Sequence, residues 1–285
     1  MIYIASSQKH NGKIQEDLWI KENLTELGFS VEIIPWTKLP SILGPDDQVI
    51  FKSIWGYHQE LNAFTEFISF LETKDIKTVN EIRVIKWNLE KSNYLRDIQR
   101  ENIPIVDFAI LKDESRYNEI SDSLGTETLV LKPLIGGSGY NIFKVTNEKE
   151  FNTTVSRIKD QRKGTIAQPF LNSIDSGEIS VMIIGGDIQY GMRRFPGIIA
   201  EKKSAEYISL RSLSRKIEDI SSKTVSYLEN RFGNTPTIIR LDYLQLDDSY
   251  KLLECEVIDP DLYFRKIPDS VRSDTIRALL KIILK

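Results

Sequence analysis

One cysteine, Cys255, and two histidines, His10 and His58, are all that 285 residues offer of the side chains most used for covalent and metal chemistry. A single thiol excludes an intrachain disulfide, a cysteine zinc site and a CxxC redox centre. Two histidines make Ser-His-Asp hydrolysis and histidine-rich metal centres poor fits. No apolar run approaches the ~20 residues of a membrane span, and the start from Met1 to Lys9 lacks the basic lead and apolar stretch of a secretory signal, so no membrane partner and a cytoplasmic location are expected. An excess of one charge is missing too. The 38 Lys and Arg are scattered among 41 Asp and Glu for a net charge of −3, which leaves no basic stripe to track nucleic acid. Low complexity and internal repeats are also absent. Chemistry must rest on Lys, Arg, Asp, Glu and the backbone, in a chain whose 41% hydrophobic content suffices for one large or two modest cores.

What is present is charge inside strands. The runs Ile238-Ile239-Arg240-Leu241-Asp242 and Leu252-Leu253-Glu254-Cys255-Glu256-Val257-Ile258 read as buried β-strand interrupted by four charged residues. Side chains alternate across a strand, so Arg240 and Asp242 share one face, Glu254 and Glu256 share one face, and Cys255 points to the core on the other. Asp247-Asp248-Ser249 signals a hairpin. A three-residue loop pairs Leu246 with Tyr250 and sets Asp242 opposite Glu254 and Arg240 opposite Glu256; a loop one residue longer or shorter breaks up the cluster. No glycine marks the left-handed position that such loops prefer. Three carboxylates beside one guanidinium call for a further cation, and a divalent metal on oxygen ligands is the physical reading, magnesium first. A solvated sheet face, with Arg240 paired to Glu256, fits these two runs equally well.

Along the rest of the chain, short apolar runs first alternate with amphipathic stretches, as in βαβ units. Strands are expected at Ile2 to Ala5, Val31 to Trp36, Gln48 to Lys52 and Lys77 to Val79. A helix over residues 14–27 ends at Gly28, and another carries Leu61, Phe64, Phe67, Ile68 and Leu71. This reads as a small doubly wound domain ending near residue 88, after which Asn88 caps a helix that stops before Pro104. Longer strands and hairpins follow from Glu127, with helices near 148–160, 214–232 and 271–284. Val181 to Tyr190 reads as one strand followed by Arg193 and Arg194, and Phe195 to Leu213 as a loop or lid. A finer division falls near residue 170.

Thr128 to Pro133 is a strand ending in Lys132-Pro133, and it runs into Leu134-Ile135-Gly136-Gly137-Ser138-Gly139 before a second strand from Tyr140 to Val145. Glycine lets backbone N–H groups approach an anion, and a lysine on the preceding strand reaches the same phosphates. A Walker loop and the dinucleotide-binding G-x-G-x-x-G are excluded, because the lysine precedes the glycines and a strand follows them. An ordinary glycine-rich hairpin with a surface lysine is the bland alternative.

Taken jointly, Lys-Pro before a glycine-rich hairpin, then Arg240-Leu241-Asp242 and a later Glu254-Cys255-Glu256, resemble the ATP-grasp superfamily of carboxylate-amine ligases over the whole chain. Lys52-Ser53-Ile54-Trp55-Gly56-Tyr57, the run Trp87 to Leu95, and Glu254 to Pro260 look most like the branch of glutathione synthetase and D-cycloserine ligase. The resemblance implies an α/β and α+β fold: a Rossmann-like pre-ATP-grasp domain (1–88), then a two-lobed ATP-grasp domain (89–285, lobes 89–170 and 171–285). It implies ATP and Mg2+, with Mn2+ as a substitute, and small-molecule carboxylate and amine substrates. Lys91 and Lys132 then contact the α and β phosphates, and Gly136, Gly137, Ser138 and Gly139 close over the β and γ phosphates. Gln168, Phe170 and Leu171 line the adenine site, with Glu178 at the ribose, and Leu253 is a further nucleotide-binding residue. Asp242, Glu254 and Glu256 hold metal; Arg240 and Lys132 serve the transferring phosphoryl group, and Arg194 an acidic substrate or the γ phosphate. Glu256 departs from the asparagine of many members, while the cycloserine branch carries acid there. Arg193 and Arg194 as a solvated pair, and Lys202 and Lys203 as lid residues, stay open. Lys52, Trp55, Tyr57 and Arg194 are candidates for substrate selection. A cyclising ligase, a small-molecule kinase and a catalytically inactive nucleotide-binding module are the rivals, and a homo-oligomer is compatible with each.

Overall fold

The structure, a computed structural model, describes residues 1–137, 139–159, 164–195 and 204–284. Four strands begin the chain: β1 (Ile2–Ser6), β2 (Val31–Pro35), β3 (Gln48–Phe51) and β4 (Lys77–Thr78), all parallel in the order β2-β1-β3-β4. Alternation along these strands supplies two cores. Ile2, Ile4 and Ile50 cluster with Ile20 and Leu24 of α1 (Gln15–Glu26), whereas Tyr3, Ala5, Val49 and Phe51 cluster with Phe64, Phe67, Ile68 and Leu71 of α2 (Leu61–Thr73). Each such side chain, fully buried, contributes about 1.5–3 kcal/mol.

Two short helices follow, α3 (Ile82–Asn88) and α4 (Lys91–Arg100). Asn88 ends the first instead of capping the second, which corrects the expectation, because its amide has a different task. Its Nδ2 donates to Cys255 O at 2.8 Å and its Oδ1 accepts from the Val257 N–H at 3.1 Å. Asn80 does the same, donating to Ile238 O at 2.7 Å and Val257 O at 2.6 Å and accepting from the Ile238 N–H at 3.0 Å. Two side-chain amides thus imitate a strand ladder and fasten the N-terminal part to the strands that carry Arg240 and Glu256.

A second sheet, antiparallel in the order β5-β8-β6-β7, comprises β5 (Ala109–Ile110), β6 (Leu129–Pro133), β7 (Phe143–Val145) and β8 (Thr165–Pro169). Tyr117 of α5 (Tyr117–Leu124) and Phe151 and Ile158 of α6 (Glu148–Lys159) pack on its Leu129, Leu131 and Ala167. Pro169 sits at the strand's last position, where its missing N–H costs no ladder bond.

The third sheet has the order β11-β10-β9-β12-β13 and is antiparallel throughout: β9 (Glu178–Ile184), β10 (Asp187–Phe195), β11 (Ser204–Ile208), β12 (Ile238–Leu246) and β13 (Ser249–Glu256). The single strand expected over Val181 to Tyr190 is a hairpin. Gly185 and Gly186 turn it with φ of +57° and +94°, the pair of left-handed residues that a two-residue hairpin loop uses. A Cβ on Gly185 would also stand 2.3 Å from Ile282 Cδ1 of α8 (Asp269–Ile283). Arg193 and Arg194 therefore lie within β10 and not beyond a strand. The expected loop from Phe195 to Leu213 contains β11 and a turn at Leu210–Ser212; Lys202 and Lys203 fall outside the described residues.

Along β12 the two faces divide sharply. Ile239, Leu241 and Tyr243 share a core with Ile217, Ile220 and Leu228 of α7 (Arg215–Phe232), and Cys255 joins them as expected. On the opposite face Ile238 is covered by α8, and Arg240 and Asp242 follow it toward open space. No helix among the described residues is long and apolar enough to cross a membrane.

Candidate active site

The hairpin β12-β13 decides the site. Its turn holds two residues and not three: Leu246 pairs with Ser249, and Asp247 takes the left-handed φ of +49° without being glycine. Asp is among the few side chains that tolerate this conformation. On its own, that turn would shift the register by one residue. A bulge restores it: Tyr243 pairs with Leu252, Asp242 with Glu254 and Arg240 with Glu256, so Leu253 is the extra residue. The expected pairing of charges holds, by a route the turn signal did not reveal.

Where the three sheets meet, a cavity of about 880 Å³ is lined by Lys91, Lys132, Gly136, Gly137, Gly139, Gln168, and on its far wall Arg194, Arg240, Glu254 and Glu256. Phe170, Leu171, Glu178 and Leu253 line it too. The bulge places Leu253 beside Leu244 and Phe170 in one apolar cluster. Ser138 lies outside the described residues. Asp242 sits one layer beneath the wall, its side chain 1% exposed.

Four cations serve this end, which corrects the premise of a single guanidinium. Asp242 Oδ1 accepts from Ser180 Oγ at 2.6 Å and Arg240 Nε at 3.0 Å, while its Oδ2 meets an Arg194 terminal nitrogen at 2.7 Å. Arg194 also binds Glu178 at 2.8 Å, and Arg240 binds Glu256 at 2.5 Å. Lys91 Nζ lies 3.0 Å from Glu254 Oε1 and donates to Gly136 O at 2.9 Å. Its backbone N–H donates to Leu134 O at 2.9 Å, so both ends of Lys91 hold the start of the glycine-rich loop. Arg193, on the alternate face of β10, donates to Ser176 O instead and is absent from the cavity wall.

Electrostatics follow from this pairing. Burial alone would raise Asp242, but Arg194 and Arg240 outweigh it and hold its carboxyl below the usual range; Lys91 and Lys132 do the same for Glu254. Burial pushes Glu256 up to about 7, with Arg240 pulling the other way. Burial also lowers Lys132, opposed by Glu254. Among the described residues no group of three or more His, Cys, Asp or Glu is arranged to hold a metal ion. Glu254 and Glu256 open onto the cavity with side chains 29% and 30% exposed and offer hard oxygen donors; Asp242 has both oxygens engaged by arginines.

The cavity has a second end, where the expected substrate-selection candidates Lys52, Trp55 and Tyr57 come together with acids that the sequence did not single out. Glu16, Asp17, Asp259 and Asp261 converge on Lys52, and all five line the wall with Trp55, Tyr57, His58 and Tyr263. Lys52 Nζ contacts Glu16 and donates to Pro260 O at 2.7 Å; Asp17 accepts from Ser53. Asp259 is 2% exposed, yet among the described residues neither of its oxygens has a hydrogen-bond partner of ordinary geometry. Burial raises Asp17 and Asp259 and pushes Glu16 up to about 7. The signal for Glu16 and Asp17 was masked, since an acidic pair in a helix's first turn reads as ordinary dipole complementation. Asp259-Pro260-Asp261 lay in view at the end of the second charged strand.

Residues 105–230 match the family model described as prokaryotic glutathione synthetase, ATP-grasp domain, and residues 2–80 match that of D-cycloserine synthetase DcsG, N-terminal domain. The crystal structure of D-cycloserine synthetase DcsG superposes with a TM-score of 0.80 at 16% identity, covering 99% of this chain and 100% of that one. D-alanine–D-alanine ligase from Bacillus anthracis complexed with ATP gives 0.71 at 15% identity, covering 99% and 95%. The ATP-grasp ligase PsnB, complexed with a precursor variant, Mg and ADP, gives 0.66 at 14% identity, covering 99% and 98%. No curated protein matches the sequence.

Proposed function

We propose that the chain, whose residues 105–230 match an ATP-grasp domain, is an ATP-dependent, ADP-forming carboxylate-amine ligase. One observation carries the reading: a glycine-rich loop tethered by Lys91 and the side chains of Lys132, Arg240, Glu254 and Glu256 line one cavity. A carboxylate oxygen of the substrate attacks the γ-phosphorus, the bond to the β-phosphate oxygen breaks, and ADP leaves. The amine nitrogen then attacks the acyl carbon, expels phosphate, loses a proton and leaves an amide.

Phosphoryl transfer asks for alignment and charge stabilisation more than for a base, and this wall supplies both without a histidine. Lys132 and Lys91 bind phosphate oxygens, Arg240 and Arg194 meet the charge that spreads over the transferring group, and the loop amides cover it. Gln168 faces the base: it is buried, and its amide nitrogen has no hydrogen-bond partner among the described residues. Phe170, Leu171 and Leu253 supply the apolar sandwich, and Glu178 the ribose contact. Glu254 and Glu256, with Asp242 behind them, would hold magnesium, and the ion would supply charge neutralisation for the phosphates. We assign residues 1–88 to substrate binding and 89–285 to the nucleotide, and we place Glu16, Asp17 and Asp259 where a substrate ammonium sits.

A second reading, in which amine and carboxylate belong to one molecule that cyclises, is favoured by the match of residues 2–80. Both are tested by ADP release from ATP with paired carboxylate and amine pools, with hydroxylamine added to trap the acyl phosphate. Release that depends on a carboxylate and yields a hydroxamate supports ligation. Release without hydroxamate and with a stable phosphorylated product makes the protein a kinase. A product formed from one compound alone selects cyclisation, and nucleotide binding with no release in any pool overturns both.

A further inference from the structure

His58 is spent on nothing in the reaction above, yet its position is costly and specific. It stands in the short turn Tyr57–Gln59, just beyond the N-terminal sheet, and is 2% exposed on the cavity wall. Beyond Tyr57, whose ring centroid is 5.8 Å away, it has neighbours far along the chain. The ring lies 5.0 Å, centroid to centroid, from that of Tyr140, and its Nδ1 is 3.9 Å from where a Cβ on Gly137 would be.

The two surfaces that meet there differ in stiffness. Below His58, Tyr57 packs on Phe64 of α2 with centroids 4.5 Å apart, Gly56 turns the chain at φ +99°, and the Gln59 N–H donates to Gly56 O at 2.8 Å. Above it, Gly136, Gly137 and Gly139 lose more conformational freedom on ordering than any other residue type. Lys91 fixes the start of that loop through Leu134 O and Gly136 O. Between Gly137 and Tyr140 the loop turns on its own bond, the Tyr140 N–H donating to Gly137 O at 3.0 Å, and His58 lies against both ends of that turn.

We propose that His58 is a positioning residue: it seats the glycine-rich loop from the substrate-binding side, so that the loop's approach to the nucleotide phosphates is coupled to the N-terminal part of the chain. The proposal rests on the ATP reading for its consequence and on the apo contacts for its geometry. No chemistry is assigned to the imidazole. What matters is a flat, buried ring on a rigid turn.

The test uses the full chain. Hydrogen exchange over residues 134–142 is measured without nucleotide in wild type, His58→Ala, His58→Phe and Tyr140→Ala, and binding of a non-hydrolysable ATP analogue is measured alongside. His58→Ala is expected to speed exchange in that segment and to weaken analogue binding, each by roughly fivefold, with His58→Phe recovering most of both because the ring contact survives. Tyr140→Ala should match His58→Ala, and the double variant should be no worse than either single one. Unchanged exchange and binding in His58→Ala, or additive effects in the double variant, overturn the proposal. Should His58→Ala fail to fold, His58→Phe against Tyr140→Ala decides it. Wild-type protein that binds no nucleotide removes the ATP reading alone, since exchange in the apo protein still decides the contact.

Discussion

At the glycine-loop end of the cavity, Lys91, Lys132, Arg194 and Arg240 stand among Glu178, Asp242, Glu254 and Glu256; at the other end Lys52 stands among Glu16, Asp17, Asp259 and Asp261, with Arg265 and Lys266 also on the cavity wall. At the first end the cations hold Asp242 and Glu254 below their usual range, while burial raises Glu178 and Glu256. At the second end burial dominates and pushes Glu16, Asp17 and Asp259 upward. Uncompensated buried charge is expensive, and proteins tolerate it where a ligand or proton completes the set. A charged site can thus be preorganised in two ways. One end carries its counter-ions as side chains that a polyphosphate can exchange; the other leaves room for a cation from outside.

The largest break in that comparison comes from Asp242→Asn. The carboxylate anchors both arginines, so neutralising it leaves two guanidiniums without their shared partner and removes the support of the proposed metal ligands. ADP release should fall by about 10²–10³-fold, as for loss of a preorganised electrostatic contact, with the fold retained by circular dichroism. Turnover within tenfold of wild type would disconnect Asp242 from the chemistry.

The acidic end predicts a smaller, selective loss. Asp259→Asn should leave binding of the ATP analogue within about twofold, and should raise KM for ammonium-bearing substrates by roughly 10-fold, the scale of one charge-assisted contact. Loss of ATP binding instead would mean that Asp259 serves the nucleotide end. The same end also governs stability. Glu16 is raised from the ordinary carboxylate range to about 7, so the folded state takes up a proton there before the unfolded chain does. Stability therefore falls as pH rises from about 5 to 7, and the penalty is fully present above 7. Glu256 shifts in the same direction, so Glu16→Gln should flatten part of that slope in thermal unfolding scans. An unchanged slope would assign the titration elsewhere.

The glycine-loop end was largely legible in the sequence, and the reason is physical. Alternation puts Arg240 with Asp242 and Glu254 with Glu256 whatever the turn does, and opposite charges reward the register that aligns them. What hid was local conformation: Asp247 in a left-handed turn, Gly185-Gly186 as a hairpin, and Asn88 as a clamp instead of a cap. The acidic end was hidden by distance in sequence. Glu16 accepts from the Leu262 N–H, 246 residues away, and no local pattern announces such a contact.

The smallest expected effect separates the bulge from the cluster that it serves. Leu253 is the one unpaired residue between Tyr243-Leu252 and Asp242-Glu254. Deleting it leaves Leu252 and Cys255 on the core face and Glu254 on the cavity face, so the charged register survives as a regular ladder. Only the apolar wall that Leu253 forms with Phe170 and Leu244 is lost. The deletion variant should fold with a stability loss of about 1–3 kcal/mol and bind the ATP analogue only a few-fold more weakly, through the base and not the phosphates. Inorganic triphosphate, which has no base, should bind it as it binds wild type. If triphosphate binding collapses as well, the bulge and not the turn sets the register of Glu254 and Glu256, and the two ends of the cavity depend on one misplaced residue.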